Sequence, residues 1–334
     1  MKNALDLENF IRQKLSRRVL SSVTLQPGLG FRKFLRVKLD GEPNTIVARI
    51  SPKNPLPEHA QEPPLEPLRS ILQQAKLPVP KSFGSKEDGT LELLEDLGDT
   101  TLESYVKSLN PEMIEHLYKK ILSDIPVLQN IKPLDTLPAF QRRLDAELLD
   151  SKAQLFAKHV LGNAHLETVR SAFACVAEYL NVAPFRLAHR DFQSQNIMLE
   201  NRPLDEIIPR WIDIQGAFLA PPEYDAVCLL HDSYIKLGKK TISRLSEQLR
   251  LSLPDKPEKE IFTQRFNLLT LTRKSKDFAR FLEAKTLRND NRYSKYLDHT
   301  WEKILTASRD CASLDSRLEK LWKHLSQIKG RPTK

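Results

Sequence analysis

His189-Arg190-Asp191-Phe192-Gln193-Ser194-Gln195-Asn196, rejoined a little later by Trp211-Ile212-Asp213-Ile214-Gln215-Gly216, is the stretch around which the chain is organised. It carries oxygen-bearing side chains on two turns: Asp191 and Asn196 share one loop, and Asp213 ends an apolar run. Phosphoryl transfer from ATP needs such a set: a carboxylate to orient an attacking hydroxyl and accept its proton, and oxygen ligands for Mg²⁺. The flanks fit this reading. Residues 185–188 read as a strand into the loop, 197–199 as a strand out of it, and 207–212 as the return that brings Asp213 alongside. A His/Asp/Asn-rich turn capped by its own side chains is the simpler alternative. The spaced pattern, H-R-D-x-x-x-x-N and then a D-x-G-like turn with strand-like flanks, favours the chemical one.

The rest of the chain bounds the answer. Its 334 residues can bury one large core or two lobes, and 40% hydrophobic with 28% charged residues is a globular composition. No apolar run approaches the ~20 residues that a membrane-spanning helix needs, and residues 1–20 lack a signal-peptide core. A cytoplasmic protein without a membrane partner is expected. Cys175, Cys228 and Cys311 are few, odd in number and widely spaced, which argues against a disulfide framework or a zinc ribbon. The net charge of +9 is dispersed among acids, apart from the tail 329–334. With no RNA-binding aromatic motif and no zinc-finger spacing, no specific nucleic-acid partner is expected; an anionic small substrate accounts for a positive cleft equally well.

Outward from the loop, residues 5–19 have the apolar spacing of an amphipathic helix. Residues 23–37 read as strand, Gly turn and strand, so that Gly28 and Gly30 could lay backbone N–H groups over phosphates or simply make a hairpin. Residues 44–50 read as the next strand. Arg49 is its candidate phosphate cation, in place of a lysine, or else an outward-facing surface residue. Residues 51–67 hold six prolines and read as a linker or flap, followed by a helix over 65–76; Glu62 and Glu66 are candidate partners for Arg49. Residues 89–99 form an apolar strand entering an acidic turn, where backbone near Glu95 and Leu97 could meet an adenine edge. A lobe boundary is placed there, giving a β-rich nucleotide-binding lobe at 1–97 and a helical lobe at 98–334. Helical patterns follow at 111–125, 140–160, 166–180, 242–251, 259–287 and 313–328. The class is α+β, with the chemistry expected in a cleft between two lobes.

With these motifs in place, the chain resembles the aminoglycoside phosphotransferase/choline kinase-like family, which has the protein-kinase-like two-lobed fold. Within it, the anomeric N-acetylmuramate/N-acetylglucosamine kinases of bacterial cell-wall recycling look most similar. The residues that carry the resemblance are 30–37, 93–99, 189–196, Asp213-Ile214-Gln215, Tyr224-Asp225 and 229–235. It implies Asp191 as catalytic base, Asn196 and Asp213 as Mg²⁺ ligands, the turn at Gly28 and Gly30 over the phosphates, and Asp225 as a brace for the loop. It also implies that Arg190, Asp232 and Tyr234 lie near the acceptor sugar, with core packing the alternative for Tyr234. Arg273 and Lys276 could face the cleft or lie on the surface. Arg49 and Gly216 depart from the family's pattern and leave the acceptor more open than the reaction.

The sequence therefore predicts an ATP- and Mg²⁺-dependent kinase of a sugar or amino-sugar hydroxyl. An aminoglycoside or other small-alcohol phosphotransferase is the nearest alternative, and a pseudokinase or nucleotide-binding regulatory module is the alternative of another class.

Overall fold

The structure is a computed structural model and describes residues 2–26, 28, 32–51, 63–200 and 202–332. The chain divides into two compact units, Met1–Leu102 with Asn196–Gly216, and Glu103–Gln195 with Ala217–Lys334.

The first unit is built on a five-stranded antiparallel sheet. It comprises α1 (Lys2–Leu15), β1 (Val19–Thr24), β2 (Lys33–Leu39), β3 (Thr45–Ile50), α2 (Leu68–Gln74), β4 (Ser82–Ser85) and β5 (Leu91–Glu95), with strand order β1-β2-β3-β5-β4. The alternation of the strands sets the core. Val37, Leu39, Ile46, Ala48, Leu91 and Leu93 share one buried cluster with Leu7, Phe10 and Ile11, which recur at helical spacing on α1. The register of β3 on β5 sets Ala48 opposite Leu93 and Arg49 opposite Glu92. β4 carries no apolar alternation and was not expected; it pairs with β5 through a register shift between Ser82 and Gly84. The helix expected over 65–76 begins at Leu68, because Glu66 stays outside it and accepts a bond from the Ser70 N–H at 3.1 Å. Most of the proline-rich flap, residues 52–62 with Glu62, lies outside the described residues.

Residues 196–216 belong to this unit through main-chain bonds. Ile197–Met198 pairs antiparallel with Arg210–Trp211, the Leu199 N–H donates to the Thr100 carbonyl at 2.8 Å, and the Trp211 N–H donates to the Pro78 carbonyl at 2.7 Å.

The second unit is mostly helical. Its main helices are α3 (Pro111–Leu122), α4 (Ala146–Phe156), α5 (Leu166–Asn181), α6 (Tyr224–Leu230), α7 (Lys239–Ser252), α8 (Lys259–Arg288), α9 (Leu297–Cys311) and α10 (Ser316–Ser326). Strands β6 (Arg186–Ala188) and β7 (Phe218–Ala220) pair antiparallel. α8 is the 30-residue axis, packed against α4 and α9. The single helix expected over 140–160 is interrupted. Asp145 caps a new start by accepting the Leu148 N–H at 2.9 Å, and the far end loosens into a π turn at 157–161 before Gly162 (φ 92°). α9 was not anticipated. The three cysteines are buried. Among the described residues, no helix is long and apolar enough to cross a membrane.

Candidate active site

β6 ends at Ala188 and releases the loop that carries Asp191. Two buried carboxylates hold the loop's main chain. Asp225, on the first turn of α6, accepts the His189 N–H at 2.7 Å and the Arg190 N–H at 3.1 Å. Asp232 accepts the Ser194 N–H at 2.9 Å and the Tyr234 N–H at 3.1 Å. Arg190 itself has φ 80°, a left-handed conformation that costs a non-glycine residue about 1 kcal/mol or more. The paired amide bonds to Asp225 offset that cost. Burial pushes the Asp225 carboxyl up to about 7, against the pull of those amides.

The Asp191 side chain meets α8. Its Oδ1 accepts from Arg273 Nη1 at 2.8 Å and from Lys276 Nζ at 3.4 Å. Burial alone would raise this carboxyl, but Lys276, Arg273 and Arg190 outweigh it and hold Asp191 well below the usual carboxylate range. Arg273 is 1% exposed and spreads its donors over the loop: Nη1 also reaches the Arg190 carbonyl at 2.8 Å, and Nη2 reaches Gln193 Oε1 at 3.2 Å. One helical turn on, Asp277 receives Arg273 Nε at 3.2 Å and Lys274 Nζ at 2.8 Å.

The first unit holds the two expected metal ligands. The Ile212 N–H donates to the Asn196 carbonyl at 3.0 Å, so the residue before Asp213 is tied to Asn196. Asp213 has φ 64° and keeps a side chain that is 41% exposed. Its Oδ1 accepts from Gln215 Nε2 and lies 3.9 Å from Arg32 Nη1. Among the described residues, no cluster of three His, Cys, Asp or Glu side chains could hold a metal. The donors present fit Mg²⁺ in kind: they are hard oxygens on one amide and one carboxylate, and this ion completes its shell with water and phosphate oxygens.

The other expected residues fall as follows. Gly28 is exposed, with open space where a Cβ would stand, and Gly30 lies outside the described residues. Arg49 does not meet solvent or Glu66. It is 3% exposed and paired with Glu92, its cross-strand neighbour, whose Oε1 also accepts the Leu65 N–H at 3.0 Å. Glu66 pairs with Arg69 instead. The Glu95 N–H donates to the Lys81 carbonyl at 2.9 Å, and the Glu95 carboxylate accepts from Arg210 Nη2 at 2.6 Å. Leu97 lies in a turn fixed by Arg36, which reaches Asp96 and Gly98 at 3.1 Å and Asp99 at 2.9 Å. Asp232 is 1% exposed with both oxygens on backbone amides, so it acts on the loop from within and not on an acceptor. Tyr234 packs edge-on against Tyr296, 4.8 Å between ring centres, in the core arrangement that was its alternative. Arg273 likewise turns to the loop. Sequence reasoning missed Glu92, Gln193, Arg210 and Lys152: Gln193 fills an unspecified position of the loop motif, and only register or helix phase brings in the other three.

Three comparisons bear on this arrangement. The model of a family described as "Phosphotransferase enzyme family" matches residues 23–258. The chain is 23% identical over 245 residues to the N-acetylmuramate/N-acetylglucosamine kinase of Neisseria meningitidis, a match that covers 71% of this chain and 69% of that one. An ethanolamine kinase from Plasmodium vivax superposes with a TM-score of 0.61 at 13% identity, covering 91% of this chain and 85% of the other. The streptomycin–ATP complex of APH(2")-IIa superposes with a TM-score of 0.59 at 15% identity, covering 87% and 95%. The likeness to these structures shows the protein-kinase-like fold, as the sequence predicted.

Proposed function

Because the chain belongs to the phosphotransferase enzyme family, and so is a phosphotransferase acting on a hydroxyl, we propose that it uses Mg-ATP to phosphorylate a sugar, at the anomeric hydroxyl of N-acetylmuramate or N-acetylglucosamine. The observation that carries the kinase reading is Asp191, kept ionised by Arg273 and Lys276 on a loop whose amides are fixed by Asp225 and Asp232. The sugar assignment draws on the name of the Neisseria meningitidis relative.

In this reading Asp191 accepts a hydrogen bond from the acceptor hydroxyl and aims its oxygen in line with the γ-phosphorus. As the new P–O bond forms, the bond to the β-phosphate oxygen breaks, ADP leaves, and the hydroxyl proton passes to the Asp191 carboxylate. A carboxylate held so far below its usual pKa is a weak base. Its main contribution is orientation, which suits a loose transition state in which the acceptor proton leaves late. Asn196 and Asp213 would hold Mg²⁺, which would supply charge neutralisation on the phosphates. Gly28 and the turn at Leu97 are the nucleotide-side residues that remain available from those expected. Arg49 is reassigned to the sheet.

The test is ADP release from Mg-ATP with N-acetylmuramate, N-acetylglucosamine, an aminoglycoside, choline and ethanolamine, with Asp191→Asn as control. Turnover on an N-acetyl sugar, lost about 10²-fold or more in the variant, is expected. Turnover only on the aminoglycoside or the amino alcohols would overturn the sugar assignment. Failure to bind ATP would overturn the kinase reading.

A further inference from the structure

In the helical unit, the basic side chains gathered around Asp191 outnumber the carboxylates that form ion pairs with them. Lys276, Arg273 and Arg190 all act on Asp191, and the same three act on Lys152 of α4. Asp191 serves both Arg273 and Lys276. Asp277 serves Arg273 and Lys274, with Lys276 at 3.9 Å. Two basic side chains are left without a carboxylate partner among the described residues. Lys152 is 6% exposed, and its Nζ has no hydrogen-bond partner among the described residues; its contact is the face of Tyr224, with 5.6 Å from Nζ to the ring centre. The Arg190 guanidinium lies 5.7 Å over Phe218, with no carboxylate paired to it among the described residues. An ammonium buried without a counter-charge is costly, so Lys152 stays neutral until an anion arrives to balance it, while the Arg190 guanidinium keeps its charge without a carboxylate partner among the described residues.

We propose that Arg190 and Lys276, backed by Lys152, form a subsite for an anionic group on the acceptor, a carboxylate or a phosphate. Taking this ligand as the acceptor rests on the phosphotransferase reading above; its charge does not. Arg190 and Lys276 are the more exposed members and would touch the anion, while Lys152 adds charge from behind. A cationic acceptor would meet like charge at this place. Burial, then Lys276, Arg273 and Arg190, push the Lys152 amine well below its ordinary range. An arriving anion would restore its charge, so binding should draw in a proton.

The experiment is equilibrium binding by calorimetry, without nucleotide, to wild type, Lys152→Met and Arg190→Gln. The probes are glucosamine, N-acetylglucosamine, N-acetylmuramate and N-acetylglucosamine 6-phosphate, a charge series on one ring. At least one anionic probe should bind about tenfold tighter than the neutral sugar, with glucosamine weakest, and each variant should shrink that preference about tenfold. Proton uptake, read from the dependence of the heat on buffer, should vanish in Lys152→Met. Which anionic probe leads decides between carboxylate and phosphate. Glucosamine binding as well as the anions, no binding by either anionic probe at millimolar concentration, or a preference untouched in both variants would overturn the proposal. If Lys152→Met does not fold, Arg190→Gln carries the comparison. ADP release in parallel separates the two readings. Anion preference without turnover of these sugars leaves the subsite standing and removes the sugar-kinase assignment. Turnover of neutral and cationic sugars alone does the reverse.

Discussion

Arg273 Nη1 lies 2.8 Å from Asp191 Oδ1 and 2.8 Å from the Arg190 carbonyl, so one buried guanidinium holds both the side chain and the main chain of the catalytic loop. The fork geometry is what permits this. A lysine at the same place could offer its charge to one partner but could not also span Gln193 and Asp277.

Arg273→Lys is therefore expected to lower kcat about 10²-fold with the KM for ATP changed only a few-fold. Stability should fall by about 3 kcal/mol in urea unfolding, because Asp277 keeps its charge while losing a buried partner. A drop in stability with kcat intact would mean that Arg273 only packs.

Lys276→Met should move the acid limb of the kcat/KM profile to higher pH. Lys276 is one of the cations that hold Asp191 ionised, and without it the carboxyl takes up a proton at a higher pH. With a neutral acceptor, which does not use the anion subsite, the effect at neutral pH should be small. An acid limb that stays in place would separate Asp191 from the group that titrates.

The pair Arg49–Glu92 gives an expectation opposite to a phosphate role. Arg49→Met alone leaves Glu92 charged and buried, and should cost about 3–5 kcal/mol. The double variant Arg49→Met/Glu92→Leu should recover much of that stability and keep the KM for ATP within a few-fold. A large rise in KM in the double variant would return Arg49 to the nucleotide.

Glu223 offers a test by pH. It is fully buried with Arg265 Nε at 3.1 Å, and burial pushes its carboxyl from 4.5 up to about 7 despite that partner. Between those values the folded chain holds a proton that the unfolded chain has lost, so this group's contribution to stability falls as pH rises through that window. Glu223→Gln lacks the effect. Its stability relative to wild type should improve from pH 4.5 to 7 by up to about 3 kcal/mol, measured by denaturant unfolding across the range. A constant difference would place the Glu223 titration elsewhere.

The sequence makes the loop at 189–196 legible because its chemistry is compressed into a spacing, and it makes the sheet legible because Ile46/Ala48 and Val37/Leu39 alternate. It is blind where a partner is set by register or phase. Nothing near Arg49 in sequence names Glu92; only the β3–β5 register does. Arg273 could be read as facing a cleft, but the phase of α8 turns it onto the loop's carbonyl. Asp232 was placed near the acceptor sugar by resemblance, and nothing in the sequence marks its local use: it accepts the amide two residues on, and a second one from the loop. Lys152 gave no signal at all, since a lysine on an amphipathic helix reads as solvated until its burial is seen.

The bonds that tie 196–216 to the sheet have a practical consequence for dissecting the protein. A fragment ending after residue 97 would carry all five strands, yet it would leave the Pro78 carbonyl without the Trp211 N–H and the Glu95 carboxylate without Arg210. It would also lose Trp211, which is wholly buried. Such a fragment should aggregate or stay partly unfolded when expressed alone. A version running to Leu102, which keeps the Thr100 carbonyl for the Leu199 N–H, with 196–216 fused back through a flexible linker would be the smallest piece expected to fold.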